Sequence, residues 1–310
     1  LLQASPPARG LFHKAVGMSG SPFSEPLTAV TLEQGEAAGL ELQRAVGAQS
    51  IEQLRDVGGD RIATAPGARE PIVLDGHYVI GAAKAFESKQ QSDVPIMLGF
   101  TRDESFRSLG RVTSVAELET AVRRVFPSTA SAVLAAYPAK DASSAARAAA
   151  DLGRDSSVGA QMANWARTQA KFSRSPVYAY FFTRRQPYAP GITFIDHDPA
   201  TAGAYHSGEI PYFLRTRDSL NLFRQTRNWE EVDVKLEKDM AALLVSFARD
   251  GKPRSARVHD WPVFEPGRPR VVSLGTEITV VDWPNYASLD LLQAPAAERP
   301  PAPPGNRPRD

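Results

Sequence analysis

The stretch from Gly203 to Phe213, GAYHSGEIPYF, decides how the rest of this 310-residue sequence is interpreted. It places His206 in a short polar segment directly before an apolar run that must return to a hydrophobic core. Packing of such a run can position the imidazole at the mouth of a cavity. Histidine is also the side chain whose unperturbed pKa lies nearest neutral pH. His206 is therefore a candidate general base.

The composition narrows the classes of function. The chain is 42% hydrophobic and 23% charged, which is typical of globular domains. Its 36 basic and 35 acidic residues give a net charge of +1, so no nucleic-acid-binding surface is expected. No apolar run reaches the roughly 18 residues of a membrane span. The absence of cysteine excludes disulfides, thiolate metal sites and a cysteine nucleophile.

No metal site is expected, because the four remaining histidines lack metal-ligand spacing, and nothing else in the sequence points to a cofactor. They are His13, His77, His197 and His259. The chain opens at Leu1 without Met, so we interpret it as a fragment or a processed chain, with any signal peptide upstream. The composition suggests a bacterial protein, either cytoplasmic or secreted. The sequence does not indicate an oligomeric state.

The pattern of apolar runs predicts an α/β fold. Short runs rich in β-branched and aromatic residues predict strands, and longer stretches of helical periodicity separate them. The segment TRDES (101–105) follows the best buried-strand candidate, at the end where open α/β sheets carry catalytic groups. Residues 58–70 are predicted to form a loop. The predicted strands are 13–19, 94–100 and 176–182, with a closing β-hairpin over 271–281. The predicted helical stretches are 31–47, 51–57, 115–174, which is interrupted at Pro127, Pro138 and Gly153, and 229–250.

Several separated segments resemble, in the same order, motifs of the carboxylesterase type B family, the cholinesterase-like α/β-hydrolases. The resemblance runs from Leu1 to about Trp283. It implies an α/β-hydrolase fold in which residues 1–292 form the C-terminal portion of the domain, with a mixed, mostly parallel sheet flanked by helices. Residues 293–310 are Pro-rich and predicted to be disordered. The segments are LLQASPPARGLF (1–12), PIVLDG (71–76), GFTRDES (99–105), PVYAYFF (176–182), HSGEIPYF (206–213) and FARDGKP with WPVF (247–264).

The resemblance implies hydrolysis of carboxylic esters by a Ser-His-Glu triad. His206 matches the family's general base, and Glu104 matches the acid that orients the imidazole and stabilises its protonated form. Asp103 is the adjacent rival for the acid role, and the family match selects Glu104. The sequence departs from the family pattern at Ser105, where the family has glycine, and at Ser207 and Gly208.

The nucleophile is predicted to lie outside the chain. In the family the LLxSP segment follows the nucleophile elbow, so the match places the serine shortly before Leu1, and the chain alone is predicted to be inactive. Ser19, in GMSGS, lacks the final glycine of an elbow and a following helix. The match makes Ser19 a hydrogen-bonding partner near the acid; a turn-forming serine is the alternative.

Phe106 and Tyr205 are candidates to line the pocket for a small-molecule ester, although aromatic residues beside such loops are more often core. Glu209 is expected to be a structural ion-pair partner. One alternative function is a catalytically dead, cholinesterase-like domain that binds another protein; another is a lactone, carbamate or amide substrate for the same triad. The presence of both Glu104 and His206 weighs against the protein-binding alternative.

Overall fold

The fold is built on a five-stranded sheet in the order β1-β4-β5-β6-β7. The structure, a computed structural model, describes residues 1–21, 23, 29–65, 72–105, 109–195 and 197–293. Strands β1, β4, β5 and β6 run parallel, and β7 closes the sheet as an antiparallel hairpin with β6. The short strands β2 and β3 form a separate parallel pair. The strands are β1 Ala15–Met18, β2 Ala29–Thr31, β3 Ile72–Leu74, β4 Ile96–Thr101, β5 Val177–Phe182, β6 Arg270–Leu274 and β7 Ile278–Asp282.

Helices flank this sheet, and most of them lie between β1 and β5 in the sequence. The α-helices are α1 Leu32–Ala45, α2 Ile51–Arg55, α3 Gly59–Thr64, α4 Ala82–Glu87, α5 Val115–Val125, α6 Ala130–Ala136, α7 Ala142–Arg154, α8 Ala160–Phe172, α9 Ile210–Phe213 and α10 Glu231–Asp250. Short 3₁₀ segments cover Leu2–Ala4, Pro6–Ala8, Arg217–Asn221 and Tyr286–Leu292. Across the described ranges, none of the helices combines the length and apolar character needed to cross a bilayer.

The two faces of the sheet bury separate cores because side chains alternate along each strand. On β5, Tyr178, Tyr180 and Phe182 face the core under α9 and α10. The intervening residues of the same strand face the core under α8. Every residue of β4 and β5 is buried, as expected for central parallel strands covered on both faces. The sheet is therefore a rigid base for the loops that leave its carboxyl ends.

Helices α5, α6 and α7, which lie between β4 and β5 in the sequence, form a third hydrophobic core. The end of α7 continues into one turn of π-helix, Asp155–Gly159, before α8 begins. The sequence predicts a mainly helical stretch over residues 115–174, interrupted near Pro127, Pro138 and Gly153, and it gives no sign of this π-turn. The buried Asp155 side chain accepts hydrogen bonds from Tyr137 and Asn285, at 2.9 and 2.7 Å. These bonds join the helical insertion to the C-terminal 3₁₀ segment.

The predicted fold class is confirmed in its architecture, since the sheet is mixed, mostly parallel and flanked by helices. The loop predicted for residues 58–70 is wrong in its first part, where α3 forms over Gly59–Thr64. Two adjacent glycines hid that helix, because glycine is a poor helix former and an ordinary loop signal. Residues 66–70 of this prediction, and residues 294–310 of the tail predicted from 293 onward, lie outside the described residues.

The Gly99→Ala substitution is expected to lower the free energy of unfolding by about 2 kcal/mol, because overpacked cores lose roughly 1–3 kcal/mol. A Cβ at Gly99 would lie 2.3 Å from the ring of Tyr180, which packs across β4 and is fully buried. Urea titration gives the comparison. Gly267→Ala is the control, since its Cβ would meet nothing within 4 Å. Equal stability of the two variants would contradict the account of this packing.

Candidate active site

Three side chains meet above the carboxyl ends of neighbouring strands. Ser19 directly follows β1, and Glu104 lies in the acid loop (residues 101–105), which begins at the last residue of β4. His206 lies in the histidine loop (residues 203–208), on the long connection that leaves β5. Because these three strands are parallel neighbours, their carboxyl ends open at one edge of the sheet.

The carboxylate and the imidazole are in direct contact. Nδ1 of His206 lies 2.6 Å from Oε2 of Glu104. The Glu104 side chain is 1% exposed, whereas the His206 side chain is 47% exposed. A buried carboxylate against Nδ1 favours the tautomer that carries its proton there, so Nε2 is the basic position of the neutral ring.

Glu104 is held by its second oxygen as well. Oε1 accepts a hydrogen bond from the Ser19 hydroxyl at 2.7 Å and another from the Thr101 backbone N–H at 2.7 Å. Ser19 sits at φ 57, in the left-handed region that few residues other than glycine adopt. This backbone turn is what brings its hydroxyl to the acid. The carboxylate therefore has one oxygen for its own support and one for the imidazole.

The imidazole is a stronger base in this setting. The hydrogen bond with Glu104 is the main reason that the pKa of His206 lies above its usual value, and partial burial opposes the rise. The negative charges of Glu104 and Glu209 add to it. A histidine held in this way can accept a proton at Nε2, and its protonated form is stabilised while the proton is held.

A buried glutamine, Gln186, supports the histidine loop through hydrogen bonds. Gln186 donates to the Gly208 carbonyl at 3.0 Å and accepts from the Tyr205 hydroxyl and the Arg227 Nε, each at 2.8 Å. Arg227 also packs over the ring of Tyr188, 3.8 Å from its centroid. These contacts hold the residues on both sides of His206.

Glu209 departs from the expected ion-pair role. It is completely buried, and its Oε1 accepts a hydrogen bond from the Tyr180 hydroxyl at 3.1 Å. Within the part of the chain that the structure describes, no polar atom is hydrogen-bonded to its Oε2. Burial is the main cause that raises the pKa of Glu209 to about 7. The predicted ion pair with a basic side chain is therefore wrong for the described residues.

The structure brings together Glu104, His206 and Ser19 as neighbours. Tyr205 is half-buried beside the histidine, with its hydroxyl engaged by Gln186. Phe106 lies outside the described residues, so its predicted place in a pocket stays a prediction, as does that of Tyr205. Among the described ranges, no group of three or more His, Cys, Asp or Glu side chains is arranged to hold a metal ion.

The sequence analysis missed the residues that support the two loops. Asp103 was considered only as a rival acid, and Arg147 and Gln186 were not singled out. Arg147 lies in an Ala-rich helix with no motif, and Gln186 lies in a loop. Their partners are far away in the sequence, so no local signal identified either residue. The short strand before TRDES is the one indication that Asp103 lies at the carboxyl edge of the sheet.

The chain matches a known protein family and several characterised relatives over most of its length. Residues 1–291 match the family model described as the carboxylesterase family. The fumonisin B1 esterase of Sphingopyxis macrogoltabida is 30% identical over 293 residues, covering 90% of this chain and 51% of that protein. The phenmedipham hydrolase of Pseudarthrobacter oxydans is 27% identical over 303 residues, covering 89% of this chain and 56% of that protein. The chain thus spans about half the length of these relatives.

Solved structures show the same fold. A PNB esterase superposes with a TM-score of 0.65 and 21% identity, covering 94% of this chain and 60% of that one. A thermophilic PNB esterase gives a TM-score of 0.66 and 22% identity, covering 94% of this chain and 59% of that one. These likenesses confirm the α/β-hydrolase fold that the sequence motifs implied.

Proposed function

The chain belongs to the carboxylesterase family, and on this premise we propose that it supplies the acid and the base of a carboxylic ester hydrolase. The observation that carries the proposal is the 2.6 Å contact between the buried Glu104 and the half-exposed His206. A buried carboxylate behind a solvent-accessible imidazole is the arrangement that a serine hydrolase needs.

His206 is the general base in this proposal. Its Nε2 takes the proton of a serine hydroxyl as the oxygen attacks the ester carbonyl, and it returns that proton to the leaving alkoxide. Glu104 keeps the proton of Nδ1 in place and stabilises the imidazolium. Ser19 supports Glu104 through the oxygen that the imidazole does not contact.

The nucleophilic serine lies before Leu1 in this proposal. Ser19 is a poor candidate, because its hydroxyl donates to Glu104 at 2.7 Å, on the acid's side of the site. A nucleophile must instead reach Nε2, the opposite nitrogen of the imidazole. The family resemblance of residues 1–12 to the segment that follows a nucleophile elbow supports the same position.

The unpaired edge of β1 supports the proposal that residues before Leu1 extend the sheet. Among the described strands, β1 pairs only with β4, so it lies at an edge. A groove of about 590 Å³ runs beside it, lined in part by Leu1, Leu2, Val16 and Trp165. Leu2 is 69% exposed there. In our proposal, residues that precede Leu1 cover this groove and carry the serine and the oxyanion-binding amides.

The substrate is a small-molecule carboxylic ester. Two of the relatives are named as esterases, of fumonisin B1 and of PNB, which supports the ester class without selecting one acyl or alcohol group; the phenmedipham relative is named only as a hydrolase. No cofactor takes part in the proposed reaction, because the serine, the histidine and the glutamate supply the nucleophile and the proton transfers.

Assay of the full-length protein that contains these residues tests the proposal. The full-length protein is expected to hydrolyse p-nitrophenyl butyrate, and residues 1–310 alone are expected to be no faster than their own His206→Ala variant. Hydrolysis by the isolated chain at the full-length rate would place the nucleophile within it. A folded full-length protein without esterase activity would instead favour the protein-binding alternative.

A further inference from the structure

We propose that Asp103 is a positioning residue that fastens the histidine loop to the acid loop, and that Arg147 holds Asp103 in place. The inference rests on the proposed function, because the alignment of Glu104 with His206 matters only if the two act together. The fastening itself is carried by contacts that are independent of any assigned reaction.

Asp103 pairs directly with the residue two positions before His206. Its backbone N–H donates to the Ala204 carbonyl at 3.0 Å, and the Ala204 N–H donates to Oδ2 of Asp103 at 2.8 Å. These reciprocal bonds join two segments that lie about a hundred residues apart in the sequence. Since Asp103 directly precedes Glu104, the bonds fix the distance between the acid and the base.

Arg147 fixes the carboxylate from the other side. Its Nη1 donates to Oδ1 of Asp103 at 2.6 Å, and its Nη2 donates to Asp151 at 2.7 Å. The side chains of Arg147 and Asp103 are 35% and 21% exposed, so the pair is partly shielded from solvent. The carboxylate therefore uses one oxygen for Arg147 and the other for the histidine loop.

The same helix also holds the start of the acid loop. Asp151 accepts a hydrogen bond from Arg154 at 2.6 Å, and Arg154 donates to the carbonyl of Arg102 at 3.1 Å. Arg154 is nearly fully buried and is paired with Asp155 at 2.8 Å. Two successive residues of the acid loop, Arg102 and Asp103, are thus attached to α7.

The backbone at Gly203 is a second observation that the histidine loop packs closely against Asp103. Gly203 has φ +61, and a Cβ built there would lie 2.3 Å from Oδ2 of Asp103. Any other residue would push the carboxylate away from Ala204 and would be strained in this conformation. The glycine is therefore required by the approach of Asp103 to the histidine loop.

Alignment of this kind matters because a misplacement of about 1 Å can cost about 100-fold in rate. Glu104 and His206 come from separate loops, and each loop can shift by that much if nothing joins them. Asp103 touches no reacting atom in this account. It acts through the position of Glu104 and His206.

The test compares Asp103→Ala with Asp103→Asn in the full-length protein. Asp103→Ala removes both side-chain contacts, to Ala204 and to Arg147, while the backbone N–H bond to Ala204 remains, and it is expected to lower kcat about 100-fold with KM changed less than about twofold. Asp103→Asn is expected to lower kcat about 10-fold, because its single oxygen can serve Ala204 or Arg147 but not both. A role through charge alone would make the two variants equally slow.

The titration of His206, followed by NMR of its imidazole, gives a readout that does not depend on activity. The contact with Glu104 raises the pKa of His206, so a loosened loop is expected to lower that pKa in both Asp103 variants and in Arg147→Ala. Glu209, the other charge that raises it, is unchanged in all three. Asp282→Asn is the matched control, because it weakens the pair between the exposed Asp282 and Arg270, at 3.2 Å, in the β6–β7 hairpin.

An unchanged kcat and an unchanged His206 titration in Asp103→Ala would overturn the proposal. Should Asp103→Ala fail to fold, the milder Asp103→Asn and Arg147→Ala variants decide in the same way. The proposed function can fail separately, in which case His206→Ala keeps its activity while the Asp103 variants still lower the pKa of His206. If His206 titrates in the Asp103 variants as it does in the wild type, while His206→Ala is inactive, the positioning role is rejected and the proposed function stands.

Discussion

Replacing His206 with alanine in the full-length protein is expected to lower kcat for a short-chain p-nitrophenyl ester by about 10⁴- to 10⁶-fold. The imidazole is the one group in the account that takes the serine proton and returns it, so its removal leaves only binding and oxyanion stabilisation. The side chain is 47% exposed, so the fold is expected to survive the change. Initial rates at saturating substrate measure the loss.

His259→Ala is the control for the loss of a histidine, because His259 is exposed and lies after α10, away from both loops. That variant is expected to keep the wild-type kcat within about twofold, as surface changes usually cost little. If His206→Ala retained more than about one hundredth of the wild-type rate while folded, His206 would not be the base.

The Glu104→Gln substitution is expected to lower kcat by about 10⁴-fold, the loss known when a triad acid is replaced by its amide. Three donors converge on the carboxylate: the Ser19 hydroxyl, the Thr101 N–H and the imidazole of His206. An amide has one acceptor oxygen. If that oxygen stays with Ser19 and Thr101, its NH₂ group faces Nδ1 and favours the tautomer with the proton on Nε2, which cannot act as the base.

The Glu104→Gln variant is also expected to shift the pH dependence of the residual activity in a defined direction. The Glu104 contact raises the pKa of His206, and the base is active only when its imidazole is neutral. Without that contact the pKa falls, so the acid limb of the residual kcat/KM profile moves to lower pH. Glu277→Gln, at an exposed position, is expected to leave both rate and profile unchanged. An acid limb that stayed in place would show that Glu104 does not set the pKa of His206.

The sequence predicts the site best where a candidate catalytic residue directly follows a predicted strand. The short apolar run before TRDES predicts a buried strand, and β4 is fully buried over Ile96–Thr101. A loop after such a strand lies at the carboxyl edge of a parallel sheet, so the position of Glu104 follows from the fold class. Family motifs then distinguish Glu104 from Asp103, a choice that periodicity alone could not make.

The remaining features depend on contacts between distant segments. Asp103 and Ala204 are joined by reciprocal bonds across the two loops, and Arg147 reaches Asp103 from an Ala-rich helix. Nothing local marks any of these residues as partners. The environment of Glu209 could not be predicted either, because its burial depends on the packing of Tyr180 in β5. Such features need the tertiary structure.

Covalent labelling of the nucleophile tests the central claim most directly. The full-length protein is treated with a fluorophosphonate, digested, and the labelled residue is located by mass spectrometry, with His206→Ala as the comparison. Our account predicts one labelled serine before Leu1, with labelling strongly reduced in His206→Ala. A label on Ser19 or on any other residue of the 310, or labelling that is unchanged in His206→Ala, would contradict the claim that this chain supplies the acid and base to a serine outside it.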